Sequence, residues 1–118
     1  EYYKLGGTKK YSSDFRLICA TNCDLQEMVD QGLFRLDLFY RLDVSHLIVP
    51  PLRQHKEDID LLAYNYLKQA RKHLSREALR LLYEHNWPGN VRELFNCLER
   101  AVFAAKASPV LFPQHFDI

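Results

Sequence analysis

The sequence predicts an α/β layer followed by a small all-helical bundle. In residues 1–52, short runs of β-branched and aromatic residues alternate with short helical segments, a pattern typical of α/β proteins. In residues 53–118, apolar residues recur at the helical period almost throughout. We therefore expect two domains, one in residues 1–52 and the other in residues 53–118.

The composition is that of an ordinary globular protein. The chain has 118 residues, 47% of them hydrophobic and 26% charged, and 16 Lys and Arg against 15 Asp and Glu give a net charge of +1. This argues against disorder and gives no sign of nucleic-acid binding. No apolar stretch is long enough to cross a bilayer, and nothing in the given residues points to secretion. Because the three cysteines are odd in number, we expect a cytoplasmic protein rather than a disulfide framework.

Three segments of the first domain have the composition of strands. Tyr2 to Leu5 precedes a turn signal at Gly6-Gly7, Phe15 to Ala20 has the length of a buried strand, and His46 to Val49 ends at Pro50-Pro51. The chain opens on a strand and does not begin with Met, so we expect a piece of a longer protein.

Two short helices are predicted between these strands. Asp24 and Glu27 form a capping box, and the helix that they start should end near Gly32 in a left-handed C-cap. A second helix fits Phe34 to Leu42. The first helix should bury Leu25, Met28 and Val29.

The second domain is predicted to be a bundle of three helices. The first spans Asp58 to His73, and the second is capped by Ser75 and stopped by the segment Asn86 to Gly89. The third runs from Asn90 to about Lys106. Its buried stripe should consist of Val91, Leu94, Phe95, Leu98, Ala101 and Val102.

The stretch from Trp87 to Leu94 is the most informative of the chain. Asn90 and Glu93 have the spacing of a capping box, which places Arg92 in the first turn of a helix, where the dipole disfavours a cation. An anion beside Arg92 would explain this, because helix N-termini and guanidinium groups both bind phosphate. The alternative is a solvated surface arginine. Trp87 is expected to fill the core rather than to bind a ligand.

Arg35 and Arg41 lie in an otherwise apolar segment with scattered acidic residues. Arg41 follows Asp37 by one turn and could form an ordinary exposed ion pair with it, whereas Arg35 has Gln31 one turn before it. In phosphoryl transfer, an arginine supplied by a second subunit stabilises the charge on the transferred group. The residues alone are compatible with an ion pair between Arg41 and Asp37 and with a phosphate-binding role for the arginines.

Asn22 follows the predicted strand Phe15 to Ala20, and ligands of open α/β sheets bind at the carboxyl ends of strands. Its amide could contact a phosphate or orient a water, or Asn22 could be an ordinary turn residue. A zinc site is not indicated, because Cys19 is expected in the strand and no matching pair follows Cys23.

Together these motifs resemble one family. Phe34-Arg35-x-Asp37-Leu38-x-Tyr40-Arg41-Leu42, Pro50-Pro51-Leu52-Arg53 and Trp87-Pro88-Gly89-Asn90-Val91-Arg92-Glu93-Leu94 resemble the sigma-54-dependent transcription activators, the bacterial enhancer-binding proteins of the AAA+ ATPase class. Gly6-Gly7-Thr8 and Cys19-Ala20-Thr21-Asn22-x-Asp24-Leu25 match in the same order.

The resemblance implies a fold and a set of roles. Residues 1–52 would be the C-terminal portion of the α/β ATPase subdomain, at the edge of its parallel sheet, and residues 53–118 its helical lid. Asn22 would be sensor I, Arg35 and Arg41 the arginine fingers that reach a neighbouring subunit's ATP, and Arg92 sensor II. Asn90, in the motif of Arg92, is counted with it as nucleotide-binding.

It also implies cofactors and partners. The cofactor would be ATP with Mg, and the assembly a hexameric or heptameric ring that remodels the sigma-54 RNA polymerase closed complex. DNA would be bound by a separate domain if one is present, and no membrane is involved. The Walker A and B motifs and the sigma-contacting loop would precede Glu1, so the chain alone is predicted to be inactive.

The chain departs from the family in three places. Residues 53–55 are Arg-Gln-His where Arg-Glu-Arg is usual, Cys23 replaces a common Arg, and the joint at residues 72–75 is short.

Two other functions compete with the ATPase. One is DNA binding by the helices that start at Ser75 and Asn90, disfavoured by a net charge of only +2 in residues 53–118. The other is a non-catalytic interaction module that has kept only the fold.

Overall fold

The structure of the chain, a computed structural model, describes residues 2–3, 7, 10–12, 14–42 and 45–118. The chain divides into two compact units, Glu1–Leu47 and Ile48–Ile118. The second unit contains most of the buried core. Among the described helices, none has both the length and the apolar character that crossing a membrane requires.

The first unit contains a small antiparallel strand pair and two short helices. Strand β1 (Tyr2–Tyr3) pairs with β2 (Lys10–Tyr11), with Tyr2 opposite Tyr11. The predicted first strand is confirmed at Tyr2–Tyr3, while Lys4, Leu5 and the turn residue Gly6 lie outside the described residues. The helices are α1 (Leu25–Asp30) and α2 (Leu36–Leu42), and α2 buries Phe39.

Both ends of α1 agree with the sequence prediction. The Asp24 carboxylate accepts the Glu27 N–H at 3.2 Å, as an N-cap does. At the other end Gly32 has a φ of 73°, and its N–H donates to the Val29 carbonyl at 3.0 Å. The N–H of Leu33 donates to the Met28 carbonyl at 2.8 Å, which completes a Schellman motif. The three residues predicted to be buried are only partly buried.

The strands predicted at residues 15–20 and 46–49 do not form in this chain. Neither segment pairs with another strand within the described residues, and their apolar side chains are exposed, with Phe15 at 67%, Ile18 at 85% and Ile48 at 83%. A strand is stable only when its backbone groups have partners in a sheet. The apolar composition indicates a strand, but no described residue of this chain supplies the strand pairing that would complete it.

The second unit has the predicted bundle of three helices and, in addition, a small parallel strand pair. The helices are α3 (Asp58–Ala70), α4 (Arg76–Glu84) and α5 (Asn90–Ala105). Strand β3 (His73–Leu74) pairs with β4 (Val110–Leu111), and short 3-10 turns occupy Leu52–Gln54 and Pro113–His115.

The boundary between α3 and α4 is set by local geometry. Helix α3 ends at Ala70, earlier than the predicted His73, because Arg71 adopts a left-handed φ of 56° and the chain then enters β3. Ser75 caps α4 as predicted, and its hydroxyl oxygen accepts the Ala78 N–H at 3.0 Å.

One apolar core holds the second unit together. Each of the helices α3, α4 and α5 contributes a buried stripe, and Trp87, Leu52 and Leu111 complete the core from the connecting segments. Burying each large aliphatic side chain contributes about 1.5–3 kcal/mol. The fully buried side chains of the helices include Ile59, Ala63, Leu67, Leu82, Leu94, Leu98 and Ala101.

Candidate functional site

The segment before α5 is a tight turn anchored in the core. Trp87 has a φ of 51° and is completely buried, and its indole N–H donates to the Leu82 carbonyl at 2.8 Å. The Trp87 carbonyl accepts the Asn90 N–H at 2.9 Å, which closes a turn around Pro88 and Gly89. The expectation that Trp87 fills the core is confirmed.

The start of α5 differs from the predicted capping box. Asn90 does not cap the helix: it has a φ of 54°, and its side-chain oxygen accepts the Leu52 N–H at 2.9 Å. The N-cap is Gly89, and Glu93 accepts the Gly89 N–H through Oε1 at 2.7 Å. The prediction of Asn90 as N-cap is therefore wrong, because its side chain is committed to a backbone group distant in the sequence.

Glu93 has a second partner that the sequence did not suggest. Its Oε2 accepts a hydrogen bond from His85 Nε2 at 3.0 Å, and the His85 ring packs edge-on against Trp87 with centroids 4.4 Å apart. Desolvation alone would raise the pKa of Glu93, but the bonds from Gly89 and His85 outweigh it and lower that pKa. Glu93 is thus held ionised at the start of the helix.

Arg92 lies in the first turn of α5 with its side chain exposed. Across the described ranges it has no hydrogen bond and no carboxylate within 4.0 Å. A guanidinium without a described partner in the first turn of a helix is a suitable arrangement for binding a phosphate.

Arg35 precedes α2 and pairs with Asp37. Its Nε and Nη2 donate to the two carboxylate oxygens at 3.1 and 2.7 Å. The side-chain hydrogen bond from Arg35 lowers the pKa of Asp37. The alternative that paired Asp37 with Arg41 is wrong, because α2 begins at Leu36 and Arg35, in non-helical backbone, reaches the carboxylate first. With the side chains 81% and 65% exposed, this pair is weak enough to open.

Arg41 lies in the last turn of α2 and is exposed. It has no ion-pair partner in the part of the chain that the structure describes. Arg35 and Arg41 therefore lie at opposite ends of one short helix.

Asn22 is exposed in the bend that precedes α1. The Thr21 hydroxyl accepts the Cys23 N–H at 3.1 Å, and the Asn22 side-chain oxygen is 3.5 Å from Cys23 Sγ. The bend is thus closed by Thr21, and Asn22 makes no hydrogen bond to the backbone of the described segments. Its amide nitrogen is available to a ligand.

The predicted site residues thus form two groups. Asn90 and Arg92 lie together at the start of α5, while Asn22, Arg35 and Arg41 belong to the first unit. None of them lines the open cleft of about 450 Å³ between α3 and the start of α4. Among the described side chains, no three His, Cys, Asp or Glu residues are grouped closely enough to hold a metal ion.

Two family comparisons cover nearly the whole chain. Residues 1–48 match the sigma-54 interaction domain, and residues 53–117 match the AAA+ ATPase lid domain. The chain is 46% identical over 121 residues to the regulatory protein AtoC of Escherichia coli (strain K12), covering 97% of this chain and 26% of AtoC. It is 47% identical over 120 residues to the transcriptional regulator NtrC of Rhizobium meliloti (strain 1021), covering 97% and 23%. The chain belongs to the sigma-54-dependent transcription activators.

A solved structure agrees with the fold. NtrX from Brucella abortus, crystallised in complex with ATP, superposes with a TM-score of 0.87 at 32% identity and covers 98% of this chain and 29% of NtrX. The fold is therefore the C-terminal part of an AAA+ module followed by its helical lid, as predicted. The chain spans about a quarter of the length of the activators that it matches.

Sequence reasoning missed one residue and one contact that position the start of α5. His85 carried no signal, since one scattered histidine near a tryptophan is not a pattern. The contact of Asn90 with Leu52 joins residues 38 positions apart, and only the fold brings them together.

Proposed function

We propose that the full-length activator couples ATP binding and hydrolysis to remodelling of the sigma-54 RNA polymerase closed complex, and so activates transcription. The observation that carries the proposal is Arg92: a free guanidinium in the first turn of α5, on a turn tied to the core through Trp87 and Asn90. Such a group suits a nucleotide phosphate. The ATP bound to the related NtrX supports the same role.

The site residues of this chain would act on the nucleotides of two different subunits. Arg92 acts as sensor II and binds a phosphate of its own subunit's nucleotide, and Asn22 acts as sensor I through its free amide. Asn90 serves the same nucleotide site by tying the start of α5 to Leu52. Arg35 and Arg41 act as fingers on the nucleotide of the neighbouring subunit, where they stabilise charge that develops on the transferred phosphate.

This division requires an assembly, which we propose to be a ring of six or seven subunits. ATP would bind with Mg, whose ligands, like the phosphate-binding loop, come from the part of the module that precedes this chain. By itself the chain is therefore expected not to hydrolyse ATP. We place the activator in the cytoplasm and expect any DNA-binding domain to be separate.

ATP turnover by the full-length protein tests this proposal. Arg35→Ala should lower turnover by about 10³-fold or more while ATP still binds, because a trans-acting arginine contributes to the transition state rather than to affinity. Arg80→Ala, which removes an exposed arginine from α4, is the matched control and should leave turnover unchanged. Equal turnover in all three proteins would show that Arg35 is only a surface residue.

A further inference from the structure

Both carboxylate oxygens of Glu93 accept a hydrogen bond, and the two bonds together fix the orientation of the carboxylate. Oε1 accepts the Gly89 N–H at 2.7 Å, and Oε2 accepts from His85 at 3.0 Å. The side chains of His85 and Glu93 are each 29% exposed, so solvent screens this contact less than it screens a fully exposed pair. Held in this orientation, the carboxylate makes no ion pair with Arg92, which has no ion-pair partner among the described residues.

His85 is itself held by the core. Its ring meets the Trp87 ring at 75° with centroids 4.4 Å apart, and Trp87 is completely buried and bonded to the Leu82 carbonyl. A continuous line of contacts thus runs from the core through Trp87 and His85 to Glu93. Since the buried indole cannot shift without opening the core, the position of His85 is well defined.

Gly89 allows Glu93 to approach this closely. A Cβ atom at Gly89 would lie 2.7 Å from the Cβ of Glu93, closer than side-chain atoms pack. With no Cβ there, Glu93 accepts the Gly89 N–H, and its own N–H donates to the Gly89 carbonyl at 3.2 Å. Arg92, the residue before Glu93, belongs to a turn closed by two hydrogen bonds.

We propose that His85 is a positioning residue for Arg92: acting through Glu93, it holds the first turn of α5 and keeps the guanidinium free for a phosphate. The proposal rests on the nucleotide-binding role proposed for Arg92. Without His85, Glu93 Oε2 loses its partner and the carboxylate can turn. A carboxylate that is no longer held can turn toward the guanidinium and pair with it, which weakens the attraction of Arg92 for an anion, and the turn also loses one of its contacts.

ATP affinity of the full-length protein, measured by equilibrium binding, tests the proposal in a double-mutant cycle of His85→Ala and Arg92→Ala. His85→Ala alone should weaken ATP binding about three- to tenfold, within the range of coupling between neighbouring residues. In the Arg92→Ala background the same change should have no further effect. A merely structural histidine would weaken binding equally in both backgrounds.

Two further variants separate positioning from packing. His85→Gln offers an amide N–H near the place of Nε2 and should restore most of the affinity. His115→Ala is the matched control, since it removes another partly buried histidine of the second unit, whose Nδ1 accepts the Phe112 N–H at 2.9 Å. It should leave ATP affinity unchanged.

The outcomes distinguish the two proposals. If Arg92→Ala leaves ATP affinity unchanged, the nucleotide role of Arg92 fails and the role of His85 fails with it. If Arg92→Ala weakens binding and His85→Ala does not, the positioning role alone is overturned. An equal effect of His85→Ala in both backgrounds, or failure of His85→Gln to restore affinity, would also overturn it.

Discussion

The turn before α5 depends on the precise size of one residue, Gly89. Its φ of −88° is open to any amino acid, so conformational freedom does not explain the glycine. The constraint is space, because Glu93 packs against the position where a Cβ would lie. Gly89 thus differs from Gly32, which has open space around it but a φ of 73°.

Gly89→Ala tests this explanation. The added methyl group must displace Glu93 and break its bond to the Gly89 N–H, so the free energy of unfolding should fall by about 1–3 kcal/mol. Because the chain has a single tryptophan, Trp87, its fluorescence during urea denaturation reports on the second unit. A change below about 0.5 kcal/mol, typical of surface substitutions, would contradict the close approach.

Glu93 also predicts a pH dependence of stability. Its folded-state pKa lies below the ordinary value of 4.5, since the bonds from Gly89 and His85 outweigh desolvation. The stabilisation is therefore complete above the unfolded-state pKa and is lost as the pH falls through the folded-state pKa. Between pH 5 and pH 3, denaturation should show a steeper loss of stability for the wild type than for Glu93→Gln. Parallel curves would contradict this assignment.

At the scale of the element, local signals were sufficient where a helix end depends only on near neighbours. Asp24 and Ser75 cap their helices as predicted, because cap and N–H lie within one turn. Contacts between residues far apart in the sequence were not predicted. The pairing of His73–Leu74 with Val110–Leu111 joins two-residue strands far apart in sequence, and no local pattern announces such a pair.

The cap of α4 is open to a direct test. Ser75→Ala removes the acceptor of the Ala78 N–H and should destabilise the second unit by about 1 kcal/mol. Ser75→Asp keeps an oxygen at the same position and should retain most of the stability. The measurement is the free energy of unfolding, monitored by Trp87 fluorescence. An equal loss of stability in both variants would show that the hydroxyl is needed for something other than capping.

The sequence indicated the local surroundings of the proposed site residues unevenly, because some depend on contiguous residues and others on where a helix begins. The sequence indicated Arg92 because its motif is contiguous, whereas the partner of Arg35 depended on where α2 begins. Had the helix included Arg35 within its body, Asp37 would have lain on a different face. A start at Leu36 brings the two side chains together.

At the scale of the whole molecule, the apolar segments at residues 15–20 and 46–49 lack the sheet partners that their composition calls for among the described residues. Their side chains are exposed although their composition is that of buried strands. Amide hydrogen exchange should therefore be fast in both segments of the isolated chain and slow in the full-length activator, where partner strands would protect them. Equal exchange rates in both proteins would contradict their assignment as sheet strands.

Mixing two inactive activators tests the division of work between subunits most directly. In a ring that contains equal amounts of Arg35→Ala and Arg92→Ala subunits, some interfaces join an intact nucleotide site to an intact finger. Random mixing should place about a quarter of the interfaces in this state and restore about that share of wild-type ATP turnover, because the finger acts in trans. If the mixture is no more active than its separate components, Arg35 and Arg92 do not serve one nucleotide from opposite subunits.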